Sequence, residues 1–176
     1  MKITKLLLVP ALAAAMLAAA CSTSWITTAE QYVAVLVPAV QDVIGILAIA
    51  GAKGVSTTTL NTVSEYGVQA TNDLNTINAL LAKYNSANAA TTMAKINVAA
   101  NDAKQNLNLM LPALHITNAA TVSKVTDAVD LAVNTITELE ALLPSATSTT
   151  PTLRRAALKA PKPSALQQQF NQIFAK

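Results

Sequence analysis

The chain contains one cysteine, Cys21, which rules out a disulfide within it. Aromatic residues are 3% of the sequence and charged residues 12%, against a hydrophobic share of 52%. A core drawn from this composition is built of aliphatic side chains. Histidine occurs once, at His115, beside Pro112 and with no Cys, Asp or Glu nearby. Metal sites in helical bundles use Glu-x-x-His repeats or clustered inward carboxylates, and the chain has no Glu-x-x-His. It also lacks a Gly-rich phosphate loop and a Gly-x-Ser-x-Gly nucleophile turn. Two pairs of acids lie close in sequence, Asp127 with Asp130 and Glu138 with Glu140. The first pair falls outside the apolar stripe of its segment and reads as a solvated face, and the second points to two sides. Neither has the layout of a general acid and base. The expectation is a protein that is not an enzyme, with no catalytic residue, metal ligand or cofactor.

What the chain does have begins at its N-terminus. Lys2 and Lys5 precede an apolar stretch from Leu6 to Leu17, and Ala18-Ala19-Ala20 lead into Cys21. That is the layout of a secretory signal, too short to be a spanning helix. This end resembles the signal peptides of bacterial lipoproteins, in which a small-residue lipobox precedes a cysteine that receives diacylglycerol and becomes the new N-terminus. The resemblance covers residues 1–21, and Ala18 stands where a lipobox usually carries Leu, with Leu17 one place earlier. It implies a signal peptide over residues 1–20, lipidation at Cys21, a tether over residues 21–26 and an anchor in the cell envelope. Ser22 after the cysteine then implies, in a Gram-negative host, the outer membrane facing the periplasm. In a Gram-positive host the same anchor implies the plasma membrane. The other reading of these residues is ordinary cleavage after Ala20, which leaves Cys21 a free thiol. A lone exposed thiol is a liability in an oxidising compartment, and this favours the lipid.

The net charge of +3 conceals a segregation. Residues 22–143 hold five lysines against nine acids, a net charge of −4. Residues 144–176 hold Arg154, Arg155, Lys159, Lys162 and Lys176 with no acid, a net charge of +5. The chain is an acidic body with a basic tail.

Within the body, apolar residues recur at alternating spacings of three and four in four consecutive segments, the signature of amphipathic helices. The first seam is Ile26, Ala29, Val33, Leu36, Val40, Val43, Leu47, Ala50, and the second is Leu60, Val63, Gly67, Ala70, Leu74, Ile77, Leu81, Tyr84. The third runs from Ala89 through Met93, Ile96, Ala100, Ala103 and Leu107 to Met110, with Leu114 as an optional further member, and the fourth from Val122 through Val125, Val129, Ala132, Ile136 and Leu139 to Leu143. Thr27 and Glu30 have capping-box spacing. Gly51 and Gly54, then Ser56 or Thr57, supply a stop and a restart. Asn85, Ser86 and Asn88 supply the next break, Pro112 with Thr117 or Asn118 the third, and Pro144 closes the series. These marks predict helices at about 27–50, 57–85, 88–111 and 118–143. Connections this short make neighbours antiparallel, so the expected fold is all-α, an up-down-up-down four-helix bundle over residues 27–143.

The first helix carries Tyr32, Val35, Val37, Ile44, Ile46 and Ile49 outside its seam, so it is apolar nearly all round. Its excess face either fills the waist left by Gly67, Ala70, Ala100, Ala103 and Ala132 in its neighbours or meets something else, a second copy of the chain or the membrane. Insertion across a bilayer is disfavoured by Gln41 and Asp42, since an Asp at the bilayer centre costs about 3 kcal/mol. Pro38 should kink the helix.

Residues 144–164, rich in Pro, Ser, Thr and basic side chains, read as a flexible linker. Residues 165–176 carry Leu166, Phe170, Ile173 and Phe174 at helical spacing, a short amphipathic segment that is marginal alone and needs something to dock on. Docking onto the acidic bundle, or simple disorder, is one outcome. The other makes Arg154, Arg155, Lys159, Lys162, Phe170 and Phe174 contacts for anionic lipid or an acidic envelope polymer. Nucleic acid is excluded as a partner by the exported location. Asn72, Asn75, Asn78, Asn101, Asn108 and Thr71 form an uncharged polar face of a kind that can hold glycan. The function expected is a lipid-anchored cell-envelope bundle, a structural or interaction module. The alternatives are a binding protein for a small apolar ligand or lipid between the helices, and a membrane-perturbing protein acting through helix 27–50.

Overall fold

A computed structural model of the chain describes residues 8–51, 56–85, 87–113, 118–144 and 161–175. It is all-helical, with no strand among the described residues. The helices are α1 (Leu8–Gly51), α2 (Thr57–Ala82), α3 (Ala89–Ala113), α4 (Ala119–Leu142) and α5 (Pro163–Ala175). The four long helices pack against each other: α2 lies against α1 and α3, α4 against α3 and α1, and α5 rests on α1 and α4.

The breaks are made by side chains that satisfy free amides at helix ends. Ser56, in extended backbone, accepts from the Thr59 amide at 3.2 Å and starts α2. Asn118 does the same for α4, accepting from the Thr121 amide at 3.1 Å. Between α2 and α3, Asn85 Oδ1 accepts from the amides of Ala87 (3.0 Å) and Asn88 (3.1 Å), while Asn88 Oδ1 accepts from the amide of Asn85 (2.9 Å). Asparagine suits such a turn because its short side chain mimics a backbone turn.

The first helix departs from expectation at its start. No tether separates residues 21–26 from the helix, and Thr27 with Glu30 caps nothing, because α1 runs unbroken from Leu8. The alanine-rich run ahead of Cys21 is a strong helix former, and Ser22–Ser24 does not interrupt it. The Thr28 hydroxyl donates to the Ser24 carbonyl at 3.0 Å, the bond of a hydroxyl inside a helix. α1 also continues through Pro38. Pro38 and Ala34 both lie on the exposed face, where water can reach the carbonyl left without its donor. α3 likewise runs through Pro112 to end at Ala113 rather than near 111.

The four seams form one core. Val63, Gly67, Ala70, Leu74, Ile77 and Leu81 of α2 are buried, as are Met93, Ile96, Ala100, Ala103, Leu107 and Met110 of α3. Among the described residues two buried polar side chains join them, Thr92 and Thr135, and the Thr135 hydroxyl donates to the Leu131 carbonyl at 2.7 Å. Lys104 of α3 and Glu140 of α4 form an ion pair of 2.6 Å across the bundle, each about one-fifth exposed.

α1 buries more than its seam. Tyr32 and Val35, outside it, are buried, and the Tyr32 hydroxyl donates to the Pro161 carbonyl at 2.6 Å. Leu166 and Phe170 of α5 are buried on the same side, and Phe174 stacks on Phe170 with centroids 6.2 Å apart. Ile44 fills the waist: a Cβ added to Gly67 would meet its Cγ1 at 2.6 Å and its Cδ1 at 2.7 Å. Gly45, by contrast, has nothing within 4 Å of an added Cβ.

These two glycines should respond oppositely to alanine. Gly45→Ala should stabilise the fold by about 1 kcal/mol through helix propensity alone. Gly67→Ala gains the same propensity but loses about 1–3 kcal/mol to overpacking against Ile44, a net destabilisation visible as a lower urea midpoint. Tyr32→Phe removes the bond to Pro161 and should cost about 1 kcal/mol. Amide exchange should then quicken in α5 while the protection of α2 and α3 stays unchanged.

Candidate functional site

Three places carry the residues of functional interest. The first is the N-terminal part of α1. Cys21 lies on this helix, four residues before Trp25, which is buried with its ring edge-on to Tyr84 (5.1 Å between centroids, 87° between planes). Such a pair contributes about 0.5–1.5 kcal/mol beyond its buried area. Cys21 is therefore one helical turn, about 6 Å along the axis, from a residue locked into the bundle. The stretch Ser24–Ile49 is long and apolar enough to cross a membrane by length and composition, and 44% of its most apolar window is buried inside the protein.

The second place is the tail. Arg154, Arg155 and Lys159 lie outside the described residues, as does His115, and Lys162 is exposed just before α5. Phe170, read from the sequence as a partner or membrane contact, is instead core, and Phe174 is half-buried beside it. The physical reason is that α5 has too little apolar surface to persist alone, while α1 has an apolar face left over. Asp127, Asp130 and Glu138 are exposed, and Glu140 is engaged by Lys104. No group of three metal-ligating side chains occurs among the described residues.

The third place was missed in the sequence. Along the outer side of the α2–α3 pair run two open hollows, of about 500 Å³ and about 450 Å³, which share Asp73 and Asp102. The first is lined mostly by residues with polar side chains, among them Gln69, Asn72, Gln105 and Asn106, with Tyr66 and Leu109 at its end, and its surface is about evenly polar and apolar. The second is mostly apolar, with Leu80, Ala94 and Val98, and includes Lys95. Val98 is 60% exposed and Leu109 36%, so each half of the furrow includes an uncovered aliphatic side chain. Helix geometry assembles it: Tyr66, Gln69, Asp73, Thr76 and Leu80 recur at three and four on α2, and Val98, Asp102, Gln105 and Leu109 do so on α3. That second register, offset from the buried seams, was the available signal.

Asn106 Nδ2 donates to Asp73 Oδ2 at 3.0 Å and fixes the carboxylate in the furrow. Burial raises the pKa of Asp73 from its ordinary 3.8, with the neighbouring Asp102 charge adding to the rise and the Asn106 bond opposing it. Tyr32, desolvated and near Glu138, is pushed up to about 12.

No protein-family model matches this chain, and neither the curated proteins nor the solved structures contain a match to it.

An acid whose pKa is raised by folding binds protons more tightly in the native state, so stability falls as pH rises from 3.8 through the raised value. Asp73→Asn should remove this component: the variant should melt higher than the parent at neutral pH, with the two curves converging in acid. Thermal scans across that range check it.

Proposed function

We propose that the protein is a non-enzymatic, lipid-anchored helical bundle of the cell envelope, a structural or interaction module held to the membrane through diacylglycerol on Cys21. In a Gram-negative host the anchor would lie in the outer membrane, facing the periplasm. The observation that carries this reading is the single turn of helix between Cys21 and the buried Trp25. A lipid placed there is coupled to the body of the protein through continuous helix, so it would set the orientation of the bundle as well as its address.

The bundle is read as up-down-up-down. Trp25, early in α1, meets Tyr84 just beyond the end of α2, whereas Ile44, late in α1, lies against Gly67 in the first half of α2. Contacts that advance along one helix and retreat along the other support antiparallel neighbours. The basic segment from Arg154 to Lys162 is the element suited to anionic lipid headgroups or an acidic envelope polymer, each basic residue near such a surface contributing about 1 kcal/mol. An apolar ligand in the waist is less favoured, because Ile44 already occupies the space beside Gly67. Membrane action through α1 draws on its length and apolarity, and on Ile49, which is 70% exposed.

Intact-mass analysis of the membrane fraction tests the anchor. The expected species begins at Cys21 and carries the mass of a diacylglyceryl group, and Cys21→Ser should abolish both the added mass and the membrane fractionation. Unmodified protein beginning at Cys21 would overturn the proposal.

A further inference from the structure

We propose that the α2–α3 furrow binds a neutral glycan chain bearing acetamido groups, held between Tyr66, Asn72 and Asp73 of α2 and Asp102, Gln105 and Asn106 of α3. The inference rests on the reading of the protein as an envelope interaction module and names the chemistry of its partner.

Charge narrows the class of ligand. The furrow holds two carboxylates and one lysine, so phosphorylated, acidic or nucleic-acid ligands are repelled. The lining of the first hollow narrows it further. Side-chain amides offer donors and acceptors together, and so do sugar hydroxyls, so each can satisfy the other without a change of ionisation. A carboxylate already oriented by Asn106 is a strong acceptor for a hydroxyl, and charge-assisted bonds of this kind are about twice as strong as neutral ones. Tyr66 and Leu109 give the C–H face of a sugar ring an apolar surface to lie on.

The second hollow explains the acetamido group. It opens from the same two aspartates onto Leu80, Ala94 and Val98, with the hydroxyls of Thr76 and Thr91 beside them. An acetamide presents one methyl and one amide, and this pairing of an apolar wall with hydroxyls accommodates both. A plain polyol would leave the wall wet. From Tyr66 to Leu80 the furrow extends roughly 20 Å along α2, long enough for a short oligosaccharide and too shallow to enclose it. Contact along an open furrow suits a polymer approached from the side.

The test is a titration of the isotope-labelled protein, purified from whichever cell fraction holds it, with N-acetylglucosamine tetramer and with cellotetraose. The acetamido tetramer should give saturable shifts confined to α2 and α3, with cellotetraose binding about tenfold more weakly. Asn106→Ala and Val98→Lys, the second at an exposed position, should each weaken binding about tenfold while the amide spectrum of α1 and α4 stays unchanged. Absence of saturable shifts up to millimolar sugar, shifts lying outside the furrow, or affinity indifferent to both substitutions would overturn the site. Equal affinity for cellotetraose would overturn the acetamido assignment. None of these outcomes depends on Cys21, so failure here is separable from failure of the anchor.

Discussion

Helix α1 carries more apolar surface than one seam can bury, and the rest of the molecule is arranged around that excess. Its regular seam meets α2 and α4, as in any bundle. Ile44, off the seam, is accommodated because α2 presents a glycine where it arrives. Tyr32 is covered on the side where α5 docks, its hydroxyl bonded to the Pro161 carbonyl. A chain with so few aromatic residues has little bulk to spend, and it buries Trp25, Tyr32 and Phe170 in the core. Close packing of small side chains elsewhere, Ala70, Ala100, Ala103 and Ala132 among them, follows from the same economy.

Much of this was legible beforehand. The buried residues of α2 fall on the seam that periodicity marks, as do those of α3 apart from Thr92 and Ala99, and Ser56 and Asn118, each read as one of two candidates, start their helices. The misreadings have physical causes. Thr27 and Glu30 have the spacing of a capping box, but a cap exists only where the preceding residues leave the helix, and the run before them does not. Tyr32 was visible as surplus, yet periodicity says which face is apolar and nothing about what will cover it. The α2–α3 furrow was harder still. Asn, Gln and Asp at helical spacing look like a solvated face until a neighbouring helix supplies a matching row, and only the pairing of α2 with α3 brings Asn106 to Asp73. The amides singled out from composition included Asn72, which lines the furrow, and omitted Asn106, which organises it.

Sparse charge gives each ionic contact a definite place. Lys104 and Glu140 tie α3 to α4 at a partly buried position, where the pair is less screened than on an open surface. Asp73 and Asp102 are the opposite case, two like charges held close by the helices that carry them. Such an arrangement costs stability, and proteins retain it most readily where a surface has work other than folding. The distinction separates a contact that holds the bundle together from one that faces outward.

The bond from Tyr32 to Pro161 joins residues 129 positions apart. Closing a loop of that length is slow and entropically costly until α4 has paired with α1, after which only the segment from Leu143 to Pro161 remains to be closed. The order of synthesis runs the same way, since α1 appears early and its last cover appears at the end. A nascent chain therefore carries an uncovered apolar stripe for nearly its whole length. A product cut short after α4 would hold all four long helices and still expose that stripe, marking itself as incomplete to any surface that binds apolar chain.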